Sequence, residues 1–284
     1  MVTASFIVTY LLIVLGGWVR ISGSGLGCGD HWPLCNGRLI PSLEDPATVI
    51  EWGHRLVAAL VSSLVGVLAV WAFLERRSQE WRRRYLISVW VAALLAVQVI
   101  LGAITVWLEL PPWSVVLHLG TAMALLVLLL LAAMGGADAG SNTSFRGADA
   151  APARMALVLA ALSAVAVLLG ALVANLDAAP ACQGFPLCNG SILPGGHWRI
   201  HLHWTHRVVA YLVVLGSMAL PFVSGGRARG TALLSAGLAA AQLLVAAVMV
   251  LRILPSEWRA AHVALGAAVF AALVAHTYRL GRSD

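Results

Sequence analysis

Eight apolar runs dictate what this chain can become. They cover roughly residues 3–19, 52–74, 86–107, 114–135, 154–174, 204–224, 231–251 and 259–279. Each reaches the ~17–25 residues that an α-helix needs to cross a bilayer. Of all residues, 61% are hydrophobic and 11% are charged, against roughly 25% charged in soluble domains. Lipid must therefore serve as part of the solvent. Inside lipid, helices satisfy their own backbone polar groups. The expected fold is an all-α integral membrane protein with eight transmembrane helices. The first twenty residues lack a basic n-region, so they read as a first span rather than a cleaved leader.

All eighteen basic residues are Arg. They stand in short tracts between apolar runs, which marks topology rather than a nucleic-acid surface. Eleven of them (Arg76, Arg77, Arg82, Arg83, Arg84, Arg146, Arg154, Arg227, Arg229, Arg279 and Arg282) fall on one side of the eight-span plan. The positive-inside rule assigns that side, with both termini, to the cytoplasm. The long loops at about 20–51 and 175–203 then face outward.

The chain repeats itself. Pro33-Leu34-Cys35-Asn36-Gly37 recurs as Pro186-Leu187-Cys188-Asn189-Gly190, and Glu51-Trp52-Gly53-His54-Arg55 as His203-Trp204-Thr205-His206-Arg207. Gln98 precedes His118 by 20 positions, as Gln242 precedes His262. Four spans per repeat is an even number, so the halves share one orientation, a parallel repeat of two four-helix bundles. The expected organisation is an N-terminal half at 1–135, a Gly/Ala/Ser-rich cytoplasmic linker at 136–153 and a C-terminal half at 154–284.

Four of nine histidines occupy equivalent positions: His54, His118, His206 and His262. Each lies a few residues inside the outer end of an even-numbered helix. An imidazole inside a membrane is costly and is read first as functional. The bland alternative is a hydrogen bond to a neighbouring helix, which suits one histidine better than a symmetric set of four. Two histidines facing each other across a bundle can supply both axial ligands of a heme iron. Zinc needs a third and usually a fourth donor. Glu51 could serve in the first half, but His203 stands in its place in the second. Arg55 and Arg207 directly follow a ligand candidate. They either pair with heme propionates or snorkel at a helix end. His31, His197 and His201 fall in outward loops, and His276 has no counterpart in the first half.

Cys28 and Cys35 share one outward loop, and Cys182 and Cys188 the other. The short spacings fit two local disulfides, Cys28–Cys35 and Cys182–Cys188; spacing alone also permits pairing between the loops. Neither a c-type heme motif nor a zinc-ribbon spacing is present. Glu51 lies three residues before His54, on the same helical face. A carboxylate there either serves acid–base chemistry beside the first-half histidine or pairs with Arg55 or Arg20 at the rim. Only the first half carries it, so the two sites are expected to do different jobs.

The run Gly16-Gly17-Trp18-Val19-Arg20-Ile21-Ser22-Gly23-Ser24-Gly25-Leu26-Gly27-Cys28, followed by Trp32-Pro33-Leu34-Cys35, resembles the first outer-loop signature of the bacterial heme A synthases. Glu51-x-x-His54-Arg55, His206-Arg207 and the duplicated eight-span plan match as well, so the resemblance covers the whole chain. The cysteine pairs resemble the cysteine-bearing branch. Gly29-Asp30-His31-Trp32 departs from it by an extra residue where the family often has a shorter Pro-Asp-Trp.

The resemblance implies an oxidoreductase of a bacterial plasma membrane. It would oxidise the C8 methyl of heme O to a formyl group by successive hydroxylations, for cytochrome oxidase. It further implies that His206 and His262 bind a heme b cofactor, that His54 and His118 face the substrate heme, and that Glu51 is the essential acid. Heme O is insoluble, so handover from heme O synthase and contact with oxidase assembly factors are expected. The sequence carries no mark of the electron acceptor. Two rivals are a di-heme b-type electron carrier, which leaves Glu51 unexplained, and a heme transporter or chaperone without chemistry.

Overall fold

A computed structural model describes residues 1–77, 79–135 and 150–281. Among these residues there are eight long helices and no named strand: α1 (Val2–Ile21), α2 (Pro46–Glu75), α3 (Gln79–Trp107), α4 (Pro112–Ala133), α5 (Ala150–Asn175), α6 (Trp198–Val223), α7 (Arg229–Leu251) and α8 (Ser256–Leu280). All eight are long and apolar enough to cross a membrane.

The chain divides into two compact units, Met1–Ser141 and Asn142–Asp284. In the first, each helix packs on its chain neighbour and α1 closes the ring against α4. The second does the same with α5 through α8. Each unit is a four-helix bundle. Between helices in lipid, association rests on close packing and polar contacts rather than hydrophobic expulsion. Small residues accordingly line the seams: Ala153, Ala156, Ala160, Ala232 and Ala239 are buried in the second bundle. A Cβ at Gly216 would stand 2.3 Å from Leu159 Cδ2, so the Leu159 side chain of α5 packs directly over this glycine of α6. Branched side chains, Val61, Val65, Val91, Leu125 and Leu129, fill the equivalent interior of the first.

Of the helices that begin earlier than hydropathy suggests, α2 and α6 have the same lead. α2 starts at Pro46 and α6 at Trp198, six residues ahead of the apolar runs in both cases. Their first turns are too polar to register as apolar, but caps fix the starts. The Asp45 carboxylate accepts from the Ala47 and Thr48 amides and Pro46 fills the first helical position, the arrangement expected of a helix N-terminus. The Thr48 hydroxyl also donates to this carboxylate at 2.8 Å, and that bond first, then those from the amides, holds the Asp45 carboxyl below its ordinary value. His197 Nδ1 accepts from the Arg199 amide at the start of α6. Of the expected linker, residues 136–149 lie outside the described residues, as do Arg146 and Arg282. Residues 150–153 instead open α5, because alanine favours helix and proline is tolerated in a first turn.

The repeat extends to the backbone. The α3–α4 turn places Glu109 and Leu110 at φ 58° and 64°, and the α7–α8 turn places Ile253 and Leu254 at 61° and 59°. In each, the second residue's amide bonds back to a carbonyl five residues earlier, Leu110 to Thr105 and Leu254 to Met249, both at 2.8 Å.

Candidate functional site

In the second bundle, His206 of α6 and His262 of α8 face each other with ring centroids 6.3 Å apart and planes at 72°. His206 Nδ1 lies 2.9 Å from the Ala166 carbonyl of α5. A carbonyl only accepts, so Nδ1 carries the proton and the lone pair is on Nε2. Metal-binding histidines are oriented this way. Gly170, one turn along α5, admits the ring: a Cβ there would stand 3.0 Å from His206 Cε1. On the facing side, Gln242 Nε2 of α7 lies 3.1 Å from both His262 Nδ1 and the His262 carbonyl.

The first bundle repeats the plan. His54 of α2 lies against Gly16 of α1, where a Cβ would be 3.2 Å from Nε2. Gly16 stands in the repeat where Gly170 stands, twelve positions before the first cysteine of each loop. His118 of α4 receives Gln98 Nε2 of α3 at 3.2 Å on its Nε2. Its ring lies against Gly102, where a Cβ would be 3.1 Å from Cε1. Thr121 in turn donates to Gln98 Oε1. His118 Nδ1 is buried without a hydrogen-bond partner among the described residues.

This donor set suits a metal held from two sides. Metal–nitrogen bonds of about 2 Å on either side of one ion separate two imidazole centroids by about 6 Å, close to the spacing of His206 and His262. Among the described residues, no three His, Cys, Asp or Glu side chains are grouped to hold a metal ion; His203, its ring 6.5 Å from that of His206, has both nitrogens engaged elsewhere, so a zinc site lacks its third donor. The histidine pairs, with the glycines that make room for their rings, are the residues that could hold a centre ligated from two sides.

Next in sequence to His54 and to His206, an arginine pins the cysteine loop. Arg207 is buried. It donates from Nη1 to the Gly184 and Leu187 carbonyls at 2.8 and 3.0 Å, from Nη2 to Cys182 at 2.6 Å, and from Nε to His203 Nε2 at 3.3 Å. His203 Nδ1 in turn donates to the Ala178 carbonyl at 3.2 Å, so both its nitrogens are engaged. Arg55 Nη1 donates to the His31 and Leu34 carbonyls, each at 2.7 Å, and Nη2 pairs with Glu51. Glu51 is buried and also accepts the Cys28 amide at 2.8 Å. The carboxylate thus joins α2 to the cysteine loop, and His203 fills the same place in the second bundle. The loops are closed by the disulfides Cys28–Cys35 and Cys182–Cys188, with no free cysteine. Bridges within each loop are therefore the pairing found.

Three features were not legible beforehand. The glutamines were visible only as fixed spacings; the structure makes them partners of the α4 and α8 histidines. The guanidinium groups bind loop carbonyls, which no side-chain pattern announces. His276 is fully buried at the far end of α8. Thr231 donates to the Ala228 carbonyl at 2.9 Å, so it accepts from His276 Nδ1 at 3.0 Å, while the Ser224 hydroxyl donates to Nε2 at 3.1 Å. It locks the α6–α7 turn onto α8.

A family model for the cytochrome oxidase assembly proteins (COX15-CtaA) matches residues 1–274. Proteins named heme A synthase are similar to this chain. That of Alkalihalophilus pseudofirmus is 34% identical over 208 residues, 72% of this chain and 69% of the relative. That of Symbiobacterium thermophilum is 33% identical over 219 residues, 75% and 70%. That of Shouchella clausii is 34% identical over 208 residues, 72% and 68%.

Proposed function

The chain belongs to the COX15-CtaA family of cytochrome oxidase assembly proteins, and from that premise we propose that it is a heme A synthase, a membrane oxidoreductase that converts heme O to heme A. The observation that carries this reading is a duplicated histidine pair combined with an unduplicated acid. Both bundles offer two histidines toward one interior, but only the first places a buried carboxylate, Glu51, three residues from its histidine.

His206 and His262 hold a heme b cofactor, which when bound supplies one-electron transfer. Their spacing and the proton fixed on His206 Nδ1 support this assignment. His54 and His118 receive the substrate heme, whose C8 methyl becomes a formyl group by successive hydroxylations. Glu51 is the acid–base group beside that methyl. It accepts the Cys28 amide and pairs with Arg55, which holds the carboxylate in place to accept a proton or stabilise positive charge. The farnesyl tail of heme O favours lipid over water, which suits a site between membrane helices.

Arg55, whose Nε is not engaged in any of the bonds above, is the better placed of the two arginines for a propionate. Arg207 already donates from Nη1 and Nη2 to the loop and from Nε to His203. The cysteine loops face the outside of a bacterial plasma membrane and both termini face the cytoplasm, following the arginine distribution. Heme O synthase and oxidase assembly factors are the expected partners.

The test is chemical. Membranes from cells that make heme O, with and without this chain, are extracted and the hemes weighed by mass spectrometry. Heme A that depends on the chain supports the reading; only heme b returns it to an electron carrier, and intact heme O to a transporter. Replacing His206 and His54 separately separates the sites. The b-type spectrum is lost with His206 alone if the division of labour holds, and equally with both if the protein is a symmetric di-heme carrier.

A further inference from the structure

Each cysteine loop ends in an exposed aliphatic pair that the proposed chemistry does not use. Asn36-Gly37 and Asn189-Gly190 form tight turns with φ of 51° and 74°, and 52° and 77°. These left-handed angles are those of a two-residue hairpin turn, which Asn-Gly favours. The turns are closed by paired backbone bonds between Cys35 and Arg38 and between Cys188 and Ser191. Immediately after them come Leu39-Ile40-Pro41 and Ile192-Leu193-Pro194. Leu39 and Ile40 are 78% and 67% exposed, and Ile192 and Leu193 are 69% and 86% exposed. Both following prolines are buried. The prolines seat the loop on its bundle and turn the pair before them outward.

Trp52 lies six residues into α2, and its indole N–H donates to the Leu39 carbonyl at 3.0 Å. Gly27 packs so closely on the first turn of α2 that a Cβ would stand 2.3 Å from the Ala47 carbonyl oxygen. The hairpin bases are held by Arg55 and Arg207, nine residues into their helices. At 1.5 Å per residue that is about 13 Å along the axis. The loops therefore lie beside the first turns of α2 and α6, just ahead of the apolar runs that begin at 52 and 204. No charge occurs from Leu39 to Leu43 or from Ser191 to Gly196. Tryptophan at that level marks a membrane interface, and uncharged exposed aliphatic pairs facing water are disfavoured.

The geometry points to a lipid surface as the occupant: Leu39-Ile40 and Ile192-Leu193 are interfacial anchors that insert into the leaflet on the loop side and hold each disulfide-closed hairpin against the membrane. The inference stands on loop geometry and is independent of the heme reading.

No free cysteine is present among the described residues, so a thiol introduced at Ile40→Cys or Leu193→Cys labels uniquely. Intact native bridges are checked by mass. The purified full chain, nitroxide-labelled at either position, is placed in phospholipid nanodiscs. Collision with oxygen, which partitions into lipid, is compared with collision with a water-soluble nickel chelate. Oxygen accessibility several-fold above that of the chelate at both positions is the expected result. A chelate accessibility equal to or above oxygen places the tips in water and overturns the proposal. Exclusion of both probes places them under protein, a second copy or a partner chain, and also overturns it.

Discussion

Gly170→Ala is the substitution whose outcome the structure constrains most tightly. The new Cβ would lie 3.0 Å from His206 Cε1 and 3.4 Å from Nδ1. Ordinary carbon–carbon contact is about 3.5–4.0 Å, so the ring must retreat by about 0.5 Å. It has little freedom to do so. Nδ1 is tied to the Ala166 carbonyl at 2.9 Å, and His262 faces it at 6.3 Å. Overpacking of this kind costs about 1–3 kcal/mol. Replacing a mid-helix glycine by alanine returns up to about 1 kcal/mol. The net loss of fold stability is then roughly 0–2 kcal/mol, a shift of only a few degrees in melting.

The ligand pair is hit harder. Sites of this kind tolerate about 0.5 Å of misplacement, so the whole allowance is used. If the change disturbs heme binding by the same 1–3 kcal/mol, affinity falls by roughly 5- to 150-fold. The assay is heme content per protein with the reduced-minus-oxidised spectrum, read beside thermal unfolding in detergent. Gly237→Ala in α7, with nothing within 4 Å of the new Cβ, is the control. Full heme occupancy with an unaltered spectrum in Gly170→Ala would refute the placement of the cofactor at His206.

Glu51→Gln keeps an acceptor for the Cys28 amide but removes the charge paired with Arg55. Heme b should stay bound while heme A formation stops, and an unchanged heme A yield in extracted membranes removes Glu51 from the chemistry. His276→Leu leaves the buried Ser224 hydroxyl without its partner, while Thr231 keeps its bond to the Ala228 carbonyl. A cost of ~1–3 kcal/mol is expected, lowering the melting temperature while heme per folded molecule is preserved; loss of heme first would contradict a purely architectural role. Asp45→Ala removes the α2 cap. Because the folded carboxyl titrates below its ordinary value, its contribution is complete above the unfolded pKa of about 3.9 and is lost as pH falls through the folded one. The gap in thermal stability between wild type and variant should therefore close in acid, and a gap that persists there would assign the effect elsewhere.

The sequence by itself determined the solvent, the number of spans, the duplication and the residues worth watching. These follow from periodicity, length and spacing, which are one-dimensional properties. It placed His54, His118, His206 and His262 as a set because a costly residue repeated four times at equivalent positions is its own signal. The tertiary structure alone decided who touches whom. Gln98 and Gln242 became partners of His118 and His262, and Gly16, Gly102 and Gly170 became the spaces that admit imidazole rings. Arg55 and Arg207 became struts to loop carbonyls, since a backbone acceptor has no identity in sequence. The first turns of α2 and α6 are too polar to register as apolar, and only their caps revealed where those helices begin. Glu51 shows the division most clearly. Its lack of a counterpart was legible from the repeat, whereas its hold on the Cys28 amide depends on a loop folding back over 23 residues, and only three-dimensional packing brings such distant groups within bonding distance.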